Sequence, residues 1–243
     1  ARAELVIDIT QGNIQPLPIA ITDFYSDTEV ATLVGQKIAD VVRADLERSG
    51  LFKTISPKAF LAKTSDINAI PVFSNWRKID AQGLAIGKVE ALPDVQIRVQ
   101  FRLYDVFAEQ YLTGQELTAQ PTNWRRIAHK VADDIYKRLT GEEGYFDTRV
   151  VYISESGPAN RRVKRLAIMD QDGERHQFLT NGDNLVLTPR FSPSQQEITY
   201  LSYFNNRPRV YLLNIDTNQQ EVLGEFPGMT FAPRFSPSGN QVI

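Results

Sequence analysis

The hexapeptide Pro-Arg-Phe-Ser-Pro-Ser occurs twice, at residues 189–194 and 233–238, an offset of 44. Six identical residues in step mark an internal repeat, and the match extends outward at the same offset. Arg165-Leu-Ala-Ile-Met-Asp-Gln-Asp172 aligns with Arg209-Val-Tyr-Leu-Leu-Asn-Ile-Asp216, and Leu179 aligns with Leu223. A β-rich run at 197–202 follows the first hexapeptide, and a shorter one at 241–243 follows the second. An earlier run at 149–154 lies 48 residues before 197–202, so the first unit carries about four extra residues, placed most simply in the loop 155–162.

A period near 44 built from short apolar strands and Asp, Asn, Gly and Pro turns is the pattern of a β-propeller with one four-stranded blade per repeat. Leucine-rich repeats need a different Leu/Asn spacing. Helical repeats need apolar stripes at a period of 3.6, whereas 163–169 and 210–215 are short β-type runs. The hexapeptide is expected to be a turn that joins blades, with the proline fixing φ and the serine after it bonding the local backbone.

Before residue 140 the pattern is different. Residues 18–24 suit a buried strand. Ser26-x-x-Glu29 has the spacing of a capping box, and Val30, Leu33, Val34, Ile38, Val41, Val42 and Leu46 then follow a helical period that Gly50 ends. Residues 51–55 suit a short strand, and Trp76 and Ile79 lie on a short turn or helix that anchors the sheet. Residues 83–89 and 95–103 form the clearest strand pair. Val95, Ile97, Val99, Phe101 and Leu103 alternate with polar residues, so one face is expected inside and the other wet. A third strand at 110–117 precedes a helix capped by Thr122 or Asn123, with Trp124, Ile127, Ala128, Val131, Ile135 and Leu139 on its apolar face and Gly141 at its end. The expected architecture has two domains: an α+β domain with a mixed sheet and two main helices at 16–141, and an all-β propeller at 142–243, of which about two blades are present. The boundary is expected near Gly141-Glu-Glu-Gly144.

Residues 1–15 precede both. Glu4-Leu5-Val6-Ile7-Asp8-Ile9 is strongly β-prone with apolar residues on alternate sides, and a turn at 11–13 follows. Two roles suit such a run: an edge strand of the following domain, or a detachable strand available to another protein's sheet.

Several chemistries are excluded. A net charge of −2 with interspersed signs lacks the basic footprint of a nucleic-acid binder. With no cysteine there is no thiolate catalysis, disulfide or Cys-based zinc site. No run of 18 apolar residues occurs and no leader precedes Ala1, so the expectation is a soluble chain, already processed if exported. His129 and His176 lack a second histidine at metal-ligand spacing and are expected on the surface or a helix flank. Asp170, Asp172 and Gly173 lack the twelfth-position Glu of a calcium loop and are better taken as a β-turn. Arg161, Arg162, Lys164 and Arg165 are expected in a solvated loop.

The order of these parts resembles the TolB family of bacterial periplasmic proteins, on the strength of the two hexapeptides, the runs at 150–154 and 198–202, the 19–24 strand and the helix ending Leu139-Thr-Gly141. Ser194 and Ser238 stand where that family usually has Asp, and Gln195 where it has Gly. The resemblance implies a six-bladed propeller, so this chain is expected to be the N-terminal portion of one of roughly 400 residues. It also implies a non-enzymatic scaffold of the Tol-Pal envelope system that links TolA to the lipoprotein Pal in the periplasm, without cofactors or metals. Residues 4–9 would engage TolA, and Pal contacts would fall largely on later blades. Removing residues 1–12 should abolish TolA binding and leave the melting temperature of the α+β domain nearly unchanged. The alternative is the propeller of a prolyl-oligopeptidase-like serine peptidase. Its Gly-x-Ser-x-Gly nucleophile elbow does not occur in these 243 residues.

Overall fold

The computed structural model describes residues 5–9, 15–205, 207–224 and 232–243. The chain divides into two compact units, Ala1–Asp147 and Thr148–Ile243.

The first unit is an α/β structure on a five-stranded sheet of order β2-β1-β3-β4-β5. Its strands are β1 (Leu17–Ile21), β2 (Phe52–Thr54), β3 (Gly83–Ala91), β4 (Ile97–Asp105) and β5 (Gln110–Ala119). The β1 strand runs parallel to β2 and β3, while β3, β4 and β5 form an antiparallel meander. Strand β1 is apolar almost throughout and nearly all buried, as a central parallel strand covered on both sides must be. Helices α1 (Glu29–Arg48) and α3 (Trp124–Thr140) lie on one face, where Ile38, Val42, Leu46, Val131, Ile135 and Leu139 share a core with the inward residues of β3 and β4. A short helix, α2 (Phe73–Arg77), covers part of the other face by placing Phe73 and Trp76 with Leu84, Ile86 and Tyr104. The rest of that face is wet and charged: Arg98 reaches Glu116 at 3.2 Å and Glu90 at 3.6 Å. The Lys88 ammonium, bonded to Glu90, holds that carboxyl below its usual range.

Three sequence expectations change here. The N-cap of α1 is Thr28, whose hydroxyl accepts from Ala31 N at 3.4 Å, while Ser26 accepts from Thr28 N one step outside the helix. Val30 and Leu33 fit the helical period yet are exposed, Val30 to 77%; the buried positions at this end of α1 are Ala31 and Gly35. Gly35 is required there, since a Cβ would come within 1.9 Å of the Phe24 carbonyl oxygen. Val95 is not in β4: it takes φ 62° in the hairpin turn and is exposed, whereas Ile97, Val99, Phe101 and Leu103 are buried as expected.

At its C-terminus α3 ends on Gly141, left-handed at φ 81°. The stretch that follows is tied back to the helix. Asp133 accepts from Phe146 N at 2.7 Å and Asp147 N at 3.1 Å, and the Phe146 ring is fully buried. Burial pushes the Asp133 carboxyl up, against the opposing pull of those two N–H groups.

The second unit consists of open antiparallel sheets. One has β6 (Arg149–Ser156), β7 (Val163–Asp170) and β8 (Gln177–Phe178); the other has β9 (Leu185–Phe191), β10 (Glu197–Phe204), β11 (Arg207–Asn214) and β12 (Gln220–Gly224) in the order β12-β11-β10-β9. The offset of 44 relates β7 to β11, and β6 begins 48 residues before β10. The difference of four lies between β6 and β7, whose connection at 157–162 is four residues longer than the one between β10 and β11. The hexapeptide does not join blades. Its first three residues end β9, and the rest turn into β10 of the same sheet. The turn is held by Ser192, before the proline, whose hydroxyl accepts from Gln195 N at 3.2 Å. The second copy repeats the geometry: Phe191 pairs with Ile198 and Phe235 with Val242, and Ser192 N and Ser236 N each donate at 2.8 Å to the carbonyl five residues on.

Candidate partner-binding segment

Of the six residues expected to meet a partner, Glu4 lies outside the described residues. Residues 5–8 belong to no strand, and Ile9 sits in a turn. The expected edge strand is therefore not formed over 5–9. The segment is nonetheless seated on the first unit. Leu5 and Ile7 turn inward against the α1–α3 core, Ile7 to 6% exposure, while Val6 and Asp8 face out. The Ile7 N–H donates to the carbonyl of Leu139 at 2.7 Å. That carbonyl belongs to the last turn of α3, where the helix offers no N–H of its own. The neighbouring ends are satisfied locally, Lys137 O by Gly141 N and Glu142 N by the Thr140 hydroxyl. The segment thus completes a helix end with one backbone bond and one buried side chain. The alternation set Leu5, Ile7 and Ile9 on one side against Val6, and of these Leu5 and Ile7 turn inward while Ile9 is exposed; nothing in the sequence signalled that the receptor is a helix terminus rather than a sheet edge.

His129 is not on a surface. It is 2% exposed, and its Nδ1 lies 2.6 Å from Oδ2 of Asp45, itself fully buried and 3.0 Å from Arg48 Nη1 through its other oxygen. The pair ties α1 to α3 inside the first unit. The 170–173 stretch is a β-turn, with Gly173 N donating to Asp170 O at 3.0 Å. In the basic cluster, Lys164 pairs with Glu155 at 2.7 Å and Arg165 lies over the Phe178 ring at 5.0 Å, while Arg161 and Arg162 are exposed in the loop. A groove of about 400 Å³ lined by Glu197, Leu212, Asn214 and Gln219 has its counterpart one repeat earlier, about 270 Å³ lined by Arg149, Ile168, Asp170 and Arg175. Each follows from the strand geometry common to both sheets.

Residues 5–112 match the family described as TolB amino-terminal domain, and residues 136–243 match TolB beta propeller domain. The chain belongs to the TolB family. It is 61% identical over 231 residues to the Tol-Pal system protein TolB of Paramagnetospirillum magneticum, covering 95% of this chain and 52% of that relative. The crystal structure of TolB from Acinetobacter baumannii superposes with a TM-score of 0.78 at 31% identity, over 98% of this chain and 57% of that one. The chain thus spans about half the length of the TolB proteins it matches, with the amino-terminal-domain match preceding the propeller match. No helix among the described residues is long and apolar enough to cross a membrane.

Proposed function

We propose that this chain is the N-terminal part of a non-enzymatic periplasmic scaffold of the Tol-Pal system, and that residues 4–9 are the element it hands to TolA. The observation that carries this reading is the seating of Ile7, one hydrogen bond to Leu139 O and one buried side chain. Burying an isoleucine contributes about 2 kcal/mol and the bond about 1 kcal/mol, before the cost of ordering the segment. A net hold of that size is reversible. Once released, the segment offers unpaired backbone groups and an alternating apolar edge to a partner's sheet, and docking at home lowers the apparent affinity by the fraction still seated. The link to Pal belongs, on this reading, to the propeller and largely to blades beyond these two. The peptidase alternative gains nothing from a 61% identical relative named as a Tol-Pal protein.

The test is calorimetric titration of purified TolA into this chain and into its Ile7→Asp variant. Binding by the parent and loss of heat with the variant are expected. Equal binding by both would remove residues 4–9 from the role.

A further inference from the structure

Asn181 alone among the asparagines of this chain precedes a glycine. It lies between β8 and β9, exposed, where Gly182 adopts φ 94°. Its side chain is folded back over the main chain: Oδ1 accepts from Asp183 N at 3.1 Å and Nδ2 donates to the Asp183 carboxylate at 2.5 Å. An Asx turn of this kind keeps the Asn181 side chain beside the peptide link to Gly182. The nitrogen of that link carries no Cβ neighbour to block an approach, and among the described residues its N–H is given to no acceptor.

We infer that Asn181 is a site of spontaneous covalent modification, cyclising onto Gly182 and opening to aspartate and isoaspartate. The Gly182 nitrogen loses its proton to solvent base and bonds to Cγ of Asn181. The Cγ–Nδ2 bond breaks and the nitrogen leaves as ammonia after taking a proton from solvent. Water then adds to either carbonyl of the resulting succinimide, so the sum is amide plus water to carboxylate plus ammonium. Holding nucleophile and carbonyl together is the source of the rate. The product places a new negative charge beside Arg165, whose Nε donates to the Asn181 carbonyl at 3.0 Å. The isoaspartate form also lengthens the main chain by one methylene, at a place where Gly182 packs closely on Val163 at the start of β7. The first blade's outer edge would thereby change charge and contour with age, without an enzyme.

The experiment is peptide mapping by mass spectrometry, with isoaspartate detection, of the 243-residue chain held in mildly acidic and mildly alkaline buffer. Conversion at Asn181 about tenfold faster than at Asn184 or Asn240, and faster at the higher pH, is expected. In Asn181→Gln, whose side chain would close a larger ring, the early isoaspartate signal should vanish with the circular dichroism unchanged. Conversion at Asn181 no faster than at those two sites, or a signal that persists in Asn181→Gln, overturns the assignment.

Discussion

Asp45 on α1 and His129 on α3, 84 residues apart in sequence, meet at 2.6 Å inside the first unit's core. Asp45 also holds Arg48 through its other oxygen, so truncating His129 removes one buried charge-assisted contact and opens a void. His129→Ala should lower the stability of the first unit by on the order of 3 kcal/mol, read as an earlier urea midpoint. An unmoved midpoint would show that the pair does not bear on the core.

Two valines four residues apart should behave oppositely. Val99 is 1% exposed on the inward face of β4, and Val99→Asp buries a charge with no partner, at several kcal/mol. Val95 is exposed at positive φ, so Val95→Asp should be neutral or slightly stabilising, since Asp tolerates that conformation better than a β-branched residue. Thermal melts of the two variants compare them directly.

Seating of the N-terminal segment should be visible in the helix it completes. Ile7→Ala should cost about 2 kcal/mol and speed amide exchange in the last turn of α3, leaving β10 and β11 unaffected. This revises the expectation that residues 1–12 can be removed without moving the melting temperature: Ile7 belongs to the core.

In the second unit, burial, with a smaller push from Tyr211, moves the Tyr200 phenol up to about 12 from its usual 10.0. A phenol that holds its proton more tightly when folded stabilises the fold less once pH rises past the unfolded value. Stability should therefore fall between pH 10 and about 12. Tyr200→Phe keeps the ring stacked on Tyr211 and should flatten that alkaline slope; an unchanged slope would assign it to other groups.

The repeat was legible because it is written in identical residues, and its irregularity of four could be placed in the correct loop by alignment alone. Its phase was not. A turn motif reads the same whether it closes a blade or bends within one, and only the pairing of Phe191 with Ile198 decides. Periodicity likewise located α1 but put too many residues on its buried face: Val30 and Leu33 satisfy the apolar rhythm and lie in the helix, yet both are exposed. Thr28 and Ser26 both carry a capping hydroxyl, and backbone geometry selected between them. His129 was misplaced because its partner is remote in sequence. The receptor for Ile7 was hidden for the same reason, since an unpaired helix carbonyl leaves no mark on composition.

The unequal loops between β6 and β7 and between β10 and β11 have a practical corollary. Four additional residues at one loop leave the ladder of Arg149 to Asp170 as complete as that of Glu197 to Asn214. The loop at 157–162 is thus a natural splice point, where an epitope or a fluorescent label could be grafted and the register on either side would carry on undisturbed.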